Sequence, residues 1–167
     1  MASKIVQVSL QKNMQASVPV RVKTYYVDGS GLIAGRLCSN VAKLLLDGNS
    51  VVITNAGNTL LSGARPMVVS EWLERLKIAS VVHPRHGPFH PRTPSGMITR
   101  MVRGMIPRRK PRGRAALKRL RVYPKVPENL KKVKSETFED SKATKPLAFY
   151  VKLADVASRI GWKGGAE

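Results

Sequence analysis

The chain has 167 residues, 30 of them Lys or Arg against 10 Asp or Glu, a formal net charge of +20. At about 150 residues per domain this is one main domain with arms, and a hydrophobic share of 43% supports a packed core rather than full-length disorder. Self-repulsion on this scale opposes compaction unless a polyanion neutralises it, which disfavours a metabolic enzyme working alone and favours nucleic acid or an anionic membrane surface.

Residues 1–22 read as an N-terminal extension. Ile5-Val6-Gln7-Val8-Ser9-Leu10 alternates in part like an edge strand, and Pro19 interrupts it, so the stretch is an arm that orders against another surface. Residues 23–127 read as an α/β domain. Lys23–Val27 has strand composition and ends at the turn Asp28-Gly29-Ser30-Gly31. A helix suits Ala34–Leu46, because Leu37, Val41, Leu44 and Leu45 form one apolar stripe and Gly48 supplies a left-handed stop. Val51–Thr54 is a β-branched run, expected as a strand covered on both faces. A turn at Ala56-Gly57 and a short strand Thr59–Leu61 follow. Pro66–Lys77 reads as a second helix, with Pro66 at its first position and Val68, Val69, Trp72, Leu73 and Leu76 as its apolar face. This order predicts an open α/β sheet with layered helices.

Residues 83–96 hold four prolines and read as a stiff loop. A helix from about Ser95 buries Met97, Ile98, Met101, Val102 and Met105, and stops before Pro107. Pro107–Arg114 reads as an extended basic loop, and Ala115–Arg121 as a short helix carrying Lys118, Arg119 and Arg121. Residues 128–167 read as a mixed-charge connector and a docking segment. Within them Leu147–Leu153 is strand or extended, and Asp155–Ile160 is a helical turn stopped by Gly161 with Trp162 behind it.

Between Glu74 and Glu128 there is no acidic residue, and those 53 positions carry 15 Lys or Arg, 11 of them Arg. A charge run is ordinarily a solvated face of mixed sign; here one sign runs unbroken, on backbone interleaved with Pro and Gly. Guanidinium groups suit bidentate phosphate contact and base stacking. The aromatic share of 5% disfavours a stacking-platform reader of single strands, so structured RNA fits better. A membrane-surface role would use a basic amphipathic helix, which this proline-rich layout does not offer. No apolar run reaches the ~20 residues needed to span a bilayer, and Met1–Lys12 lacks a secretory leader's apolar stretch.

Other constellations read weakly. Gly29, Gly31 and Gly35 are spaced one residue too long for a dinucleotide fingerprint, and Asn55 stands where a ribose-binding carboxylate belongs. They nevertheless motivate an alternative, an α/β enzyme acting on nucleotides or RNA. His83, His86 and His90 are separated by prolines, with no carboxylate in the segment to complete a metal site. Cys38, the single cysteine, falls beside an apolar stripe and reads as a small hydrophobe.

Several stretches together resemble the large-subunit ribosomal proteins of the uL13 family, in their archaeal and eukaryotic form. They are Val27–Gly29 through Leu37, Val51–Ala56, Leu61–Gly63, Arg85–Phe89, Arg92–Ser95, Val102–Pro107, Lys110–Leu120 and Gly161–Lys163. The N-terminal 22 residues are not part of the common pattern. The resemblance implies an α/β fold with an open, largely parallel central sheet of about four strands, helices on both faces and basic arms. It implies large-subunit rRNA and neighbouring large-subunit proteins as partners, in cytoplasmic ribosomes assembled in the nucleolus if the source is eukaryotic. It implies no catalysis, cofactor or small-molecule substrate. By position it assigns Arg85, His86, Arg92, Arg100, Arg103, Arg108, Arg109, Lys110, Arg112 and Arg114 to RNA; the charge pattern over 83–125 adds Lys118, Arg119 and Arg121.

Overall fold

Strand β1, Thr24–Asp28, ends where Asp28 turns the chain: the Ser30 N–H donates to Asp28 Oδ1 at 3.0 Å. A computed structural model describes residues 22–164, so the extension expected over 1–22 lies, except for Val22, outside the described residues. Helix α1 spans Ala34–Leu46 as the stripe predicts, with Leu37, Val41 and Leu45 buried beside Cys38 and Ala42. It stops at Asp47, and Gly48 follows with φ 97°, a conformation cheap only for glycine.

Strand β2, Ser50–Thr54, is the centre of a parallel three-stranded sheet ordered β1-β2-β4, where β4 is Leu120–Val122. Register pairs Tyr25 with Val51 and Val51 with Leu120, so Val27, Val51, Ile53 and Leu120 share one face with Tyr25 and Val122. That face is the floor of the core, and α1 and later helices close it. The β-branched run predicts cover on both faces; the opposite face, with Tyr26 and Thr54, meets connector residues Val126, Leu130 and Val133 and leaves Val52 half-buried.

After β2 the chain turns through Asn55, held left-handed at φ 55° with its side-chain amide donating to Asp28 Oδ1. The turn takes the next strand, β3 (Leu60–Ser62), out of the parallel sheet. It pairs antiparallel with β5, Tyr150–Lys152, Leu61 facing Val151. Helix α2, Arg65–Lys77, rests thinly on the body: of its expected apolar face only Val68 is buried, and Leu73 is exposed.

Helix α3, Pro94–Met105, begins one residue before the expected start. Thr93 Oγ1 accepts from the Gly96 N–H at 3.2 Å and caps it. Met97, Ile98 and Val102 are buried and Met101 partly so. Met105, expected in the core, is 44% exposed, and Ile106, just past the helix end, is buried in its stead. The extended loop expected over 107–114 needs correction. Helix α4 covers Pro111–Lys118, with Pro111 in its first turn and Lys110 extended before it, as the residue preceding proline prefers. Only residues 107–110 form a turn. Arg121, expected on a helix, is on strand β4.

The stretch after Pro127 contains three single 3-10 turns, the last of them Leu147–Phe149 in the stretch expected to be strand or extended, and Glu136 lies along the free edge of β1. Its N–H donates to the Tyr26 carbonyl at 2.7 Å and its carbonyl accepts from Asp28 N–H at 3.2 Å, which covers an otherwise open sheet edge. Helix α5, Leu153–Arg159, is longer than the expected single turn. Gly161 ends it at φ 102°, and the Trp162 N–H closes back on the Ala157 carbonyl at 2.9 Å.

Candidate nucleic-acid interface

The thirteen candidates sit on five local frames. Arg85 and His86 lie in a single 3-10 turn, Pro84–His86, where the His83 and His86 rings stack at 4.9 Å. Arg92 follows in the loop. Arg100 and Arg103 project from α3, whose opposite face is in the core. Arg108, Arg109 and Lys110 occupy the α3–α4 turn. Arg112, Arg114 and Lys118 are on α4, Arg119 follows it, and Arg121 is on β4.

Four of these arginines are tied to the protein's own backbone, Arg121 locally, its Nη1 donating to the Lys118 and Leu120 carbonyls at 3.1 Å each. Arg112 Nη2 donates to the Leu46 carbonyl at 2.8 Å. Arg119 donates through Nη2 to the Leu45 carbonyl at 2.8 Å and through Nε to the Asn49 carbonyl at 3.2 Å. Both therefore satisfy carbonyls at the C-terminal end of α1, where the last four have no helical partner and a positive charge complements the helix dipole. Arg100 Nη1 donates to the Phe89 carbonyl at 2.9 Å and pins the proline loop to α3. Charge counting alone cannot separate Arg100, Arg112 and Arg119 from the rest, because their partners are distant backbone oxygens.

The rest face solvent. Among the described residues the ion pairs are Arg75–Glu71, Lys131–Glu128 and Lys142–Glu139, all local surface pairs, and none includes a candidate. Arg103, Arg108, Arg109, Lys110, Arg114 and Lys118 are exposed, with no side-chain hydrogen bond among the described residues. Cations held this way, without a carboxylate in their stretch, keep their full charge for an external anion.

The turn that presents three of them depends on Gly113. A Cβ there would come within 2.2 Å of the Pro107 carbonyl oxygen, so only glycine lets α4 fold back against the end of α3. A groove of about 480 Å³ opens between the proline loop and α3, with Phe89 and Pro91 on one side and Arg100 and Arg103 on the other.

The glycine turn offers no phosphate cradle. The Gly29 N–H donates to Thr54 O at 2.9 Å, Ser30 N–H to Asp28, Gly31 N–H to Asn58 O at 3.4 Å and Leu32 N–H back to Gly29 O. A dinucleotide site needs such amides free to face a pyrophosphate. Of the three histidines, two stack on each other and His90 donates from Nε2 to the Ile78 carbonyl at 3.0 Å. Among the described residues no group of three His, Cys, Asp or Glu side chains could hold a metal. No helix there is long and apolar enough to cross a membrane.

Fold and surface together define an α/β protein with a parallel sheet and a carboxylate-free cationic stretch built onto its helices. The family model for ribosomal protein L13 matches residues 22–129. The large ribosomal subunit protein uL13 of Aeropyrum pernix is 46% identical over 142 residues, covering 84% of this chain and 92% of that protein. The proteins of that name from Thermoplasma acidophilum and Methanosphaera stadtmanae are 36% and 38% identical, each over more than four-fifths of this chain and 96% of their own length. The chain belongs to the L13 family of ribosomal proteins.

Proposed function

We propose that the protein is a non-catalytic constituent of the large ribosomal subunit that binds large-subunit rRNA through residues 83–125, alongside neighbouring large-subunit proteins, in cytoplasmic ribosomes. The observation that carries this reading is the set of exposed, unpaired cations at Arg103, Arg108, Arg109, Lys110, Arg114 and Lys118, in a stretch without a carboxylate. Their role is electrostatic: each neutralises phosphate, releases counterions and fixes the position of RNA against the α/β body. Arg85, His86, Arg92, Arg100 and Arg121 flank this set on the same reading. Arg112 and Arg119 support it from behind by holding α4 to α1. On this reading residues 23–127 are the body and residues 128–164 dock along it.

The test is a salt titration of binding to large-subunit rRNA purified from Aeropyrum pernix. Replacing Arg108, Arg109 and Lys110 by Ser weakens binding and lowers the log–log salt slope by roughly one per lost phosphate contact. An unchanged slope means these residues do not touch phosphate.

A further inference from the structure

Phe89 is 75% exposed, a large apolar ring in a chain where aromatics are 5% of residues. It does not project alone. Its own carbonyl is held by Arg100, and its ring lines the groove opposite Arg103. The next residue, His90, is anchored to the Ile78 carbonyl, and the prolines on either side, Pro88 and Pro91, restrict the backbone. The ring is therefore presented on a fixed frame, with little ordering left to lose on contact. The groove's polar lining is mixed: guanidinium donors from Arg103, and a hydroxyl at Thr99 whose own proton is given to the Ser95 carbonyl at 2.8 Å, leaving its oxygen to accept. No carboxylate lines it.

We infer that this groove holds one unstacked RNA nucleotide, its base against Phe89 and its phosphate on Arg103. The inference rests on the RNA-binding reading above and names what that surface takes at this point. A base offers a flat π-face for the ring, edge donors and acceptors for the hydroxyl, and an attached phosphate for the arginine. The volume of about 480 Å³ is in the range of pockets that take small ligands. A carboxylate-bearing protein segment would satisfy Arg103 but would leave the fixed ring without a flat partner.

The experiment uses the full chain with large-subunit rRNA from Aeropyrum pernix, comparing wild type, Phe89→Leu, Phe89→Tyr and Arg109→Ser by filter binding and by ultraviolet crosslinking with peptide mapping. Because Phe89 is exposed, Phe89→Leu leaves the far-ultraviolet circular dichroism unchanged. Phe89→Leu weakens binding roughly five- to hundredfold, as loss of one base stack does, with the salt slope unchanged, and Phe89→Tyr restores it. The wild-type crosslink maps to the peptide containing Phe89 and disappears in Phe89→Leu. If Phe89→Leu binds within about twofold of wild type while Arg109→Ser still weakens binding, the groove holds no base and the broader RNA reading survives. Binding by none of the proteins, wild type included, overturns both.

Discussion

Cys38 is fully buried beside the α1 stripe, and burial pushes its thiol from 9.0 up to about 12. Below pH 9 the thiol is neutral in both folded and unfolded chains and contributes no pH dependence. Between pH 9 and about 12 only the unfolded chain ionises, so this group lowers stability by up to about 1.4 kcal/mol per pH unit. A Cys38→Ala variant, followed by urea melts across pH 8–11, shows a flatter decline than wild type. In the native protein a disulfide reagent reacts with Cys38 only at the rate of global opening. Arg119 is a second case in which position outweighs residue type. It is half-buried and makes two hydrogen bonds, one to the Leu45 carbonyl in α1's last turn and one to the Asn49 carbonyl just beyond it. Arg119→Met removes two charge-assisted hydrogen bonds, costing about 2 kcal/mol in a denaturant melt. Loss of an exposed cation such as Arg109 leaves that melt unchanged. The sequence shows that Arg119 is cationic, but not that its partners are Leu45 and Asn49, since nothing local marks a contact between residues 70 or more apart.

Helices α1 and α3 were legible because each carries its own punctuation: a stripe of Leu and Val with a glycine stop, and Thr93-Pro94 before Met97 and Ile98. Helix α4 was legible only in its second half, Ala115–Lys118, because Pro-Arg-Gly-Arg before it has the composition of a loop. Its helicity is imposed by Pro111 at the start, by Ala116 buried in the core, and by Gly113 packed on Pro107. Gly113→Ala drives a methyl into the Pro107 carbonyl and costs about 1–3 kcal/mol. It also shifts the α3–α4 turn, so rRNA binding weakens although no cation is lost; thermal melts and filter binding on the one variant read both. The strand Thr59–Leu61 was legible, but not its partner, because β5 is ninety residues further on. Helix α2 errs in the other direction. Its sequence shows five apolar positions at helical spacing, yet the body buries only Val68, covers Val69, Trp72 and Leu76 in part and leaves Leu73 exposed.

At the scale of the whole molecule, +20 acts with opposite signs on two equilibria. In the free protein the cations repel one another, so screening by salt favours the folded state. In the proposed RNA complex salt competes with the protein for phosphate and weakens binding. Raising salt from about 50 to 500 mM raises the Tm of the isolated protein and steadily lowers its affinity for rRNA; calorimetry and filter binding measure the two trends. A Tm that falls with salt would mean that attractive ion pairs dominate the free fold. The class of this fold was readable from the order of its elements, whereas its strand order depends on pairings across long stretches of chain. Those pairings set a timetable as well as a shape. A polypeptide leaves its synthetic site first residue first. Strands β1 and β2 emerge early, but their third neighbour begins only at Leu120, and β3 waits for Tyr150–Lys152. The arginines at 85–114 all emerge before β4 can dock. For that interval the newborn chain carries its most adhesive part before the body that will aim it, in surroundings crowded with nucleic acid.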